Sequence, residues 1–157
     1  MIKLKDCVIL MADDDPDDRL LVKDALSESE SASQVVNQLR FVDDGEDLMD
    51  YLLHREKYSD PGLAPRPDLI LLDLNMPRKD GREALREIRT HEDLRRIPVV
   101  IFSTSRAETD IKLVYGLGAN SFITKPVAFD SLVNTLSLLA RYWLGIVELP
   151  TQAAERT

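Results

Sequence analysis

The sequence predicts an α/β protein, a doubly wound parallel sheet of five strands alternating with five helices in a single domain. Three observations carry that prediction. Aliphatic runs such as Cys7-Val8-Ile9-Leu10-Met11-Ala12, Leu69-Ile70-Leu71-Leu72 and Val99-Val100-Ile101-Phe102 offer no polar face to water, as strands covered on both sides require. The segments between them space their apolar residues as helices do. Each of these runs also ends abruptly on polar residues, where open α/β sheets place their ligands.

Composition narrows the classes of function. With 157 residues, 31% charged and 44% hydrophobic, the chain can bury a core of its own. A net charge of −8 argues against nucleic-acid and anionic-membrane partners, which need clustered Lys and Arg. The single Cys7 excludes an internal disulfide and a multi-cysteine metal site, and it reads as a small core residue. No signal peptide and no apolar run near ~18 residues is present, so a reducing cytoplasm is the expected compartment.

The first strand ends on Asp13-Asp14-Asp15-Pro16-Asp17-Asp18. Pro16 and the acids after it suit the first turn of a helix, where proline lacks only an orphan N–H and Asp meets the positive dipole end. That helix is expected to about Ser27, with Leu20, Leu21, Ala25 and Leu26 inward, and Ser27–Ser33 as a polar connection. Val36–Val42 alternates as a half-exposed edge strand does. Asp43-Asp44-Gly45 turns the chain into a helix from Glu46 to about Glu56, lined by Leu48, Met49, Leu52 and Leu53. His54 reads as a boundary residue without metal-ligand company. Lys57–Arg66 is a loop back to the central strand, Leu69–Leu72, which stops at Asp73.

Beyond Gly81 a helix runs from Arg82 to His91 through Ala84, Leu85 and Ile88. The fourth strand ends on Ser103-Thr104-Ser105, and its helix, with Ile111, Val114 and Tyr115, is closed by Gly118 as a left-handed cap. Ser121–Thr124 is the last strand, ending on Lys125-Pro126, after which Asp130 caps a final helix to at least Tyr142. The domain is expected to span 6–147, with 148–157 a flexible tail.

Parallel strands bring Asp13, Asp14, Asp73, Ser103 and Lys125 to one end of the sheet. Two or three carboxylates and a nearby carbonyl make the hard oxygen site that Mg²⁺ prefers. A carboxylate can attack phosphorus to give an aspartyl phosphate while a cation neutralises charge on the equatorial oxygens. The Lys ammonium and the Ser hydroxyl can each bind a phosphoryl oxygen.

These motifs, Ile9–Asp18, Asp68–Pro77 with Asp80-Gly81, Ser103 and Lys125-Pro126, resemble the receiver domains of two-component response regulators over about residues 6–142. The resemblance implies a flavodoxin-like strand order, 2-1-3-4-5, and a phosphoacceptor at Asp73. It implies Mg²⁺ held by Asp14 directly, by Asp13 mainly through water, by Asp73 and by the Asn75 backbone carbonyl. Ser103 would be the hydroxyl switch, Phe122 the rotating aromatic, Lys125 the phosphate-binding lysine, and Pro126 a cis-proline. Asp-Asp stands where Glu-Asp is common and Ser103 where Thr is common, and both substitutions keep the chemistry. With no output domain after the fifth helix, a stand-alone receiver is expected. Arg66–Leu69, Arg78–Glu83 and Tyr142–Pro150 further resemble the small regulators paired with phytochrome histidine kinases, which makes such a kinase the expected partner.

Competing readings differ in class. A haloacid-dehalogenase-type phosphatase needs a second acid two residues after its nucleophile, where this chain has Asn75. An FMN carrier would meet repulsion from acidic strand tips. A pseudo-receiver that binds without phosphorylation would be expected to lack one of the key groups, and all are present. On the last helix, Leu132, Leu136, Leu139, Ala140 and Trp143 share the face expected to pack on the sheet. Leu138, Tyr142 and Ile146 lie elsewhere and form the surface of an expected two-fold homodimer. The alternative is that the tail folds back on its own domain.

Overall fold

The computed structural model describes residues 6–33 and 36–150. Its sheet has the strand order β2-β1-β3-β4-β5, every neighbouring pair parallel. The strands are β1 (Asp6–Ala12), β2 (Val36–Val42), β3 (Leu69–Leu72), β4 (Val99–Ser103) and β5 (Ser121–Thr124). The helices are α1 (Pro16–Ser33), α2 (Gly45–Leu52), α3 (Gly81–Thr90), α4 (Glu108–Gly116) and α5 (Phe129–Ala140). The expected doubly wound architecture of five strands and five helices is therefore the one formed.

Alternation along each strand divides the core in two. Leu10, Ala12, Ile70, Leu72, Val99 and Ile101 face α2, α3 and α4. Cys7, Ile9, Met11, Leu69, Leu71, Val100 and Phe102 face α1 and α5. Both faces of β1, β3 and β4 are thus covered, which is why Cys7–Ala12, Leu69–Leu72 and Val99–Phe102 carry no charged residue. β5 is only half-buried along its length.

Several boundaries differ from the sequence reading. α1 continues through Ser27–Ser33, expected as a connection, because that stretch has no glycine or proline to stop it and includes good helix formers. Its buried face is Val22, Ala25 and Leu26, so the expected Ala25 and Leu26 are inward, whereas Leu20 (59% exposed) and Leu21 (45% exposed) point outward and Val22 takes their place. α2 stops at Leu52, and His54 and Glu56 adopt positive φ (54° and 52°) in the connection to β3. That connection is tied to the helix by Tyr51, whose hydroxyl donates to the Pro65 carbonyl at 2.7 Å, and by His54 Nε2, 2.9 Å from the Ala64 carbonyl.

Gly118, at φ 104°, closes α4 in the left-handed region as expected. Asp130 does not cap α5. The N-cap is Ala128, so Asp130 sits inside the first turn, where its charge still meets the positive helix end. After α5 the chain makes one widened π turn, Arg141–Ile146. It then folds back far enough to bury Leu144 and Leu149 against the α1–α5 half of the core, with Trp143 and Val147 partly covered. Within the tail expected from 148 onward, Glu148 and Pro150 are exposed and Leu149 is buried, while 151–157 lie outside the described residues. Among the described residues no helix is long and apolar enough to cross a membrane.

Candidate functional site

Parallel pairing brings the strand tips together. The Asp73 amide donates to the Ala12 carbonyl at 3.1 Å, Asp13 to Val42 at 3.2 Å, and Lys125 to Ser103 at 2.9 Å. Asp13 ends β1 fully buried, Asp14 is exposed, and Asp73 ends β3 nearly buried. One carboxylate oxygen from each of these three lies within 4.8 Å of the others. Three hard oxygen donors at that spacing, two of them shielded from water, fit a small divalent cation. Clustered carboxylates that lack one repel each other.

In the structure the counter-charge is Lys125. Its ammonium donates to Asp13 at 2.7 Å, to Asp18 at 2.8 Å and to Asp73 at 3.2 Å, and only 9% of its side chain is exposed. Burial alone would lower its pKa, but the bonds to Asp13 and Asp18 and the charge of Asp73 hold it above the usual lysine value. Asp13 is pushed the other way. Burial raises its carboxyl above the ordinary range, although Lys125 and the Asp15 amide, which donates to Asp13 at 2.9 Å, both favour the anion. An acid so placed gains from any further positive charge brought beside it.

The loop after Asp73 is built for close approach. Gly81 opens α3 directly against the Asp73 backbone, where a Cβ would collide with the Asp73 carbonyl oxygen, and its amide donates to Leu74 at 3.0 Å. Gly45 stands against the Lys79 carbonyl in the same way and donates to it at 2.9 Å. Arg78, at φ 63°, binds the buried Asp44 at 2.7 Å, and Asp44 also caps α2 by accepting from the Asp47 amide. Burial raises the Asp44 carboxyl, yet these bonds outweigh it and leave its pKa lowered. Within the loop the Asn75 amide donates to Asp73 Oδ1 at 3.3 Å.

Ser103 is fully buried at the tip of β4, and its hydroxyl oxygen accepts from the Ser105 amide at 3.4 Å rather than touching the acids. Ser105 in turn donates to Asp110 at 2.7 Å, and Arg82 of α3 donates to the other oxygen of Asp110, also at 2.7 Å. Phe122 lies half-buried on β5 against the α2–α4 half of the core. The Lys125–Pro126 bond is trans, against the cis expectation. Trans is the preferred state of an X–Pro bond by about 0.5–1 kcal/mol, and Lys125 reaches all three acids from it. Leu138, Tyr142 and Ile146 are 59%, 53% and 66% exposed, away from the site.

Sequence reasoning gathered Asp13, Asp14, Asp73 and Lys125, and the structure brings these four together. Ser103 is at the expected tip, with its hydroxyl oxygen taken by the Ser105 amide. Asp18 and Arg19 were missed as site residues. Arg19 Nε donates to the Asp13 carbonyl at 2.7 Å and its Nη2 to Val42 at 3.1 Å, it pairs with Asp43, and it lies over the Phe41 ring. One signal was available: Asp18 falls on the first helical turn after the tip, where side chains lean back toward the strand end.

A buried lysine thus stands among strand-tip acids at the carboxyl end of a 2-1-3-4-5 sheet. The response regulator receiver domain family matches residues 9–137, and the chain belongs to that family. Within it, the chain is 39% identical to response regulator Rcp1 of Synechocystis sp. over 143 residues, 91% of this chain and 92% of Rcp1. It superposes on the phosphorylated cyanobacterial phytochrome response regulator RcpA with TM-score 0.84 at 40% identity, covering 93% of this chain and 99% of RcpA. The Mn²⁺-bound form of Rcp1 gives TM-score 0.81 at 39% identity, covering 92% and 99% of the two chains.

Proposed function

We propose that this chain is a response regulator that accepts a phosphoryl group on Asp73 from a phosphohistidine of a histidine kinase of the phytochrome type. The observation that carries this reading is the Lys125 ammonium bridging Asp13 and Asp73 inside a three-carboxylate cluster. An Asp73 oxygen attacks phosphorus as the P–N bond to histidine breaks, its electron pair leaving with the imidazole. Lys125 moves its donors to the incoming phosphoryl oxygens, and the Ser103 hydroxyl exchanges its Ser105 contact for another of them. Asp13, Asp14, Asp73 and the Asn75 carbonyl would hold Mg²⁺, which supplies charge neutralisation on the phosphoryl oxygens when bound. The same groups catalyse only the chain's own phosphorylation and dephosphorylation. The cytoplasm, where such kinases present their phosphohistidine, is the compartment this requires.

Incubation with a small phosphodonor and Mg²⁺ should place acid-labile phosphate on the native protein and none on Asp73→Asn. Full labelling of that variant would refute the assignment. Movement of Ser103 opens room for Phe122 to turn inward, so Ser103→Ala should accept phosphate while the chemical shifts of α4 and β5 stay at their unphosphorylated values.

The reading includes a two-fold homodimer through α5 and the turn after it. Leu138, Tyr142 and Ile146 support it, since all three stay exposed, and Leu138 and Tyr142 line a hollow of about 290 Å³ with Ile123 and Trp143. Light scattering should give a dimer for the native chain at tens of micromolar and a monomer for Tyr142→Glu. A native monomer in both phosphorylation states would end this part of the proposal.

A further inference from the structure

Asp18 is the one carboxylate on the Lys125 ammonium that does not belong to the converging set Asp13, Asp14 and Asp73. Its bond is no weaker than the others, at 2.8 Å against 2.7 Å for Asp13 and 3.2 Å for Asp73. The ammonium has three protons to donate, and all three are spent on these acids. Asp13 and Asp73 each have their second oxygen engaged by a backbone amide, of Asp15 and of Asn75. A cation arriving at this set competes with Lys125 for the Asp13 and Asp73 carboxylates, and two positive centres on the same carboxylates repel each other. Lys125 yields more readily if another anion keeps it. Asp18 is that anion. It sits on the first turn of α1, where the helix end favours a negative charge, with a third of its side chain open to water.

We propose that Asp18 is a positioning residue that draws the Lys125 ammonium off Asp13 and Asp73 when a divalent cation binds, and so raises the protein's affinity for that cation through Lys125. This rests on the cation-site reading given above. The charge of Asp18 also attracts a cation directly through space, and that contribution does not depend on Lys125. A double-substitution cycle separates the two routes.

The experiment is calorimetric titration of the full chain with Mg²⁺ alone, and in parallel with Mn²⁺. It compares native protein, Asp18→Asn, Lys125→Met and the double variant, without any phosphodonor. Asp18→Asn should weaken cation binding about tenfold in the native background, the scale of one charge-assisted hydrogen bond. In the Lys125→Met background the same change should alter binding by less than about twofold, since only the screened through-space attraction is left. Lys125→Gln takes its place if Lys125→Met does not fold, judged by circular dichroism. Equal losses in both backgrounds, or no loss in the native one, overturn the proposal while leaving the cation site intact. A native chain that takes up neither cation overturns the underlying reading and this proposal with it.

Discussion

On the β1–β3 side of the sheet, the loop that carries Asp73 is gripped from several directions. Gly81 presses on the Asp73 carbonyl, Gly45 on the Lys79 carbonyl, Arg78 holds buried Asp44, and α3 buries Gly81, Ala84, Leu85 and Ile88. On the β4–β5 side, β5 is only half-buried, and α4 buries Val114 alone while Leu113 and Tyr115 stay exposed. There α4 is held by a polar latch in which Asp110 takes bonds from Ser105 and Arg82. The difference teaches where rigidity is useful. Under the proposed function, a nucleophile and its cation ligands need fixed geometry, whereas an element that is to report a new charge must have a second position within a few kcal/mol. Ser103 stands at the border, buried like the first region and bonded to the latch of the second.

The contrast can be broken most severely at Gly81. A Cβ there has to displace the Asp73 backbone, so Gly81→Ala should lower stability by about 3 kcal/mol, read by urea unfolding, and distort the acceptor loop. Val114→Ala should cost about 2 kcal/mol, and should speed amide exchange in α4 well before exchange in β3, because nothing else in α4 is buried. Gly116→Ala, the same change as at Gly81 but on the loose side, has open space around the new Cβ. It should stabilise the protein by about 0.5–1 kcal/mol through helix propensity. Opposite signs for the two glycine substitutions would sharpen the comparison, and equal losses would undo it.

The smallest effect is electrostatic. Arg82 and then Ser105 hold the Asp110 carboxyl below its ordinary value of 3.8. A depressed acid adds stability above its unfolded pKa and loses it as pH falls through the folded value. The thermal midpoint of native protein should thus exceed that of Asp110→Asn at pH 7, by little for so exposed a pair. The gap should close as the pH drops below about 3.8. A gap that widens in acid would contradict the latch.

Strand positions and the four gathered site residues were legible because both depend on patterns local in sequence. A strand buried on two faces reads as a near-continuous apolar run, and a parallel sheet must put its tips at one end. Where the fold depended on remote partners the reading failed. Leu20 and Leu21 look like core until the phase of α1 is set by Val22, Ala25 and Leu26 docking on the sheet. The bond between Asp18 and Lys125 spans 107 positions, and no periodicity announces it. The Ser105–Asp110–Arg82 latch joins a loop to two helices and is invisible for the same reason. The family resemblance supplied the expectation of cis at Pro126, and no residue pattern stood behind it; the bond is trans. For the tail, hydrophobicity alone could not separate Leu144 and Leu149, which are buried, from Ile146, which is not.

That segment has a practical bearing on any reporter fused to this protein. A fluorophore domain joined directly after Ala140 would remove two leucines that plug the α1–α5 half of the core, each contributing about 1.5–3 kcal/mol by burial. The hybrid would report its own loosening as much as any signal. Joined after Pro150, the same reporter leaves both plugs seated and follows Ile146 by four residues. A fusion made there would move with the outer surface of α5 while the packing beneath it stays whole.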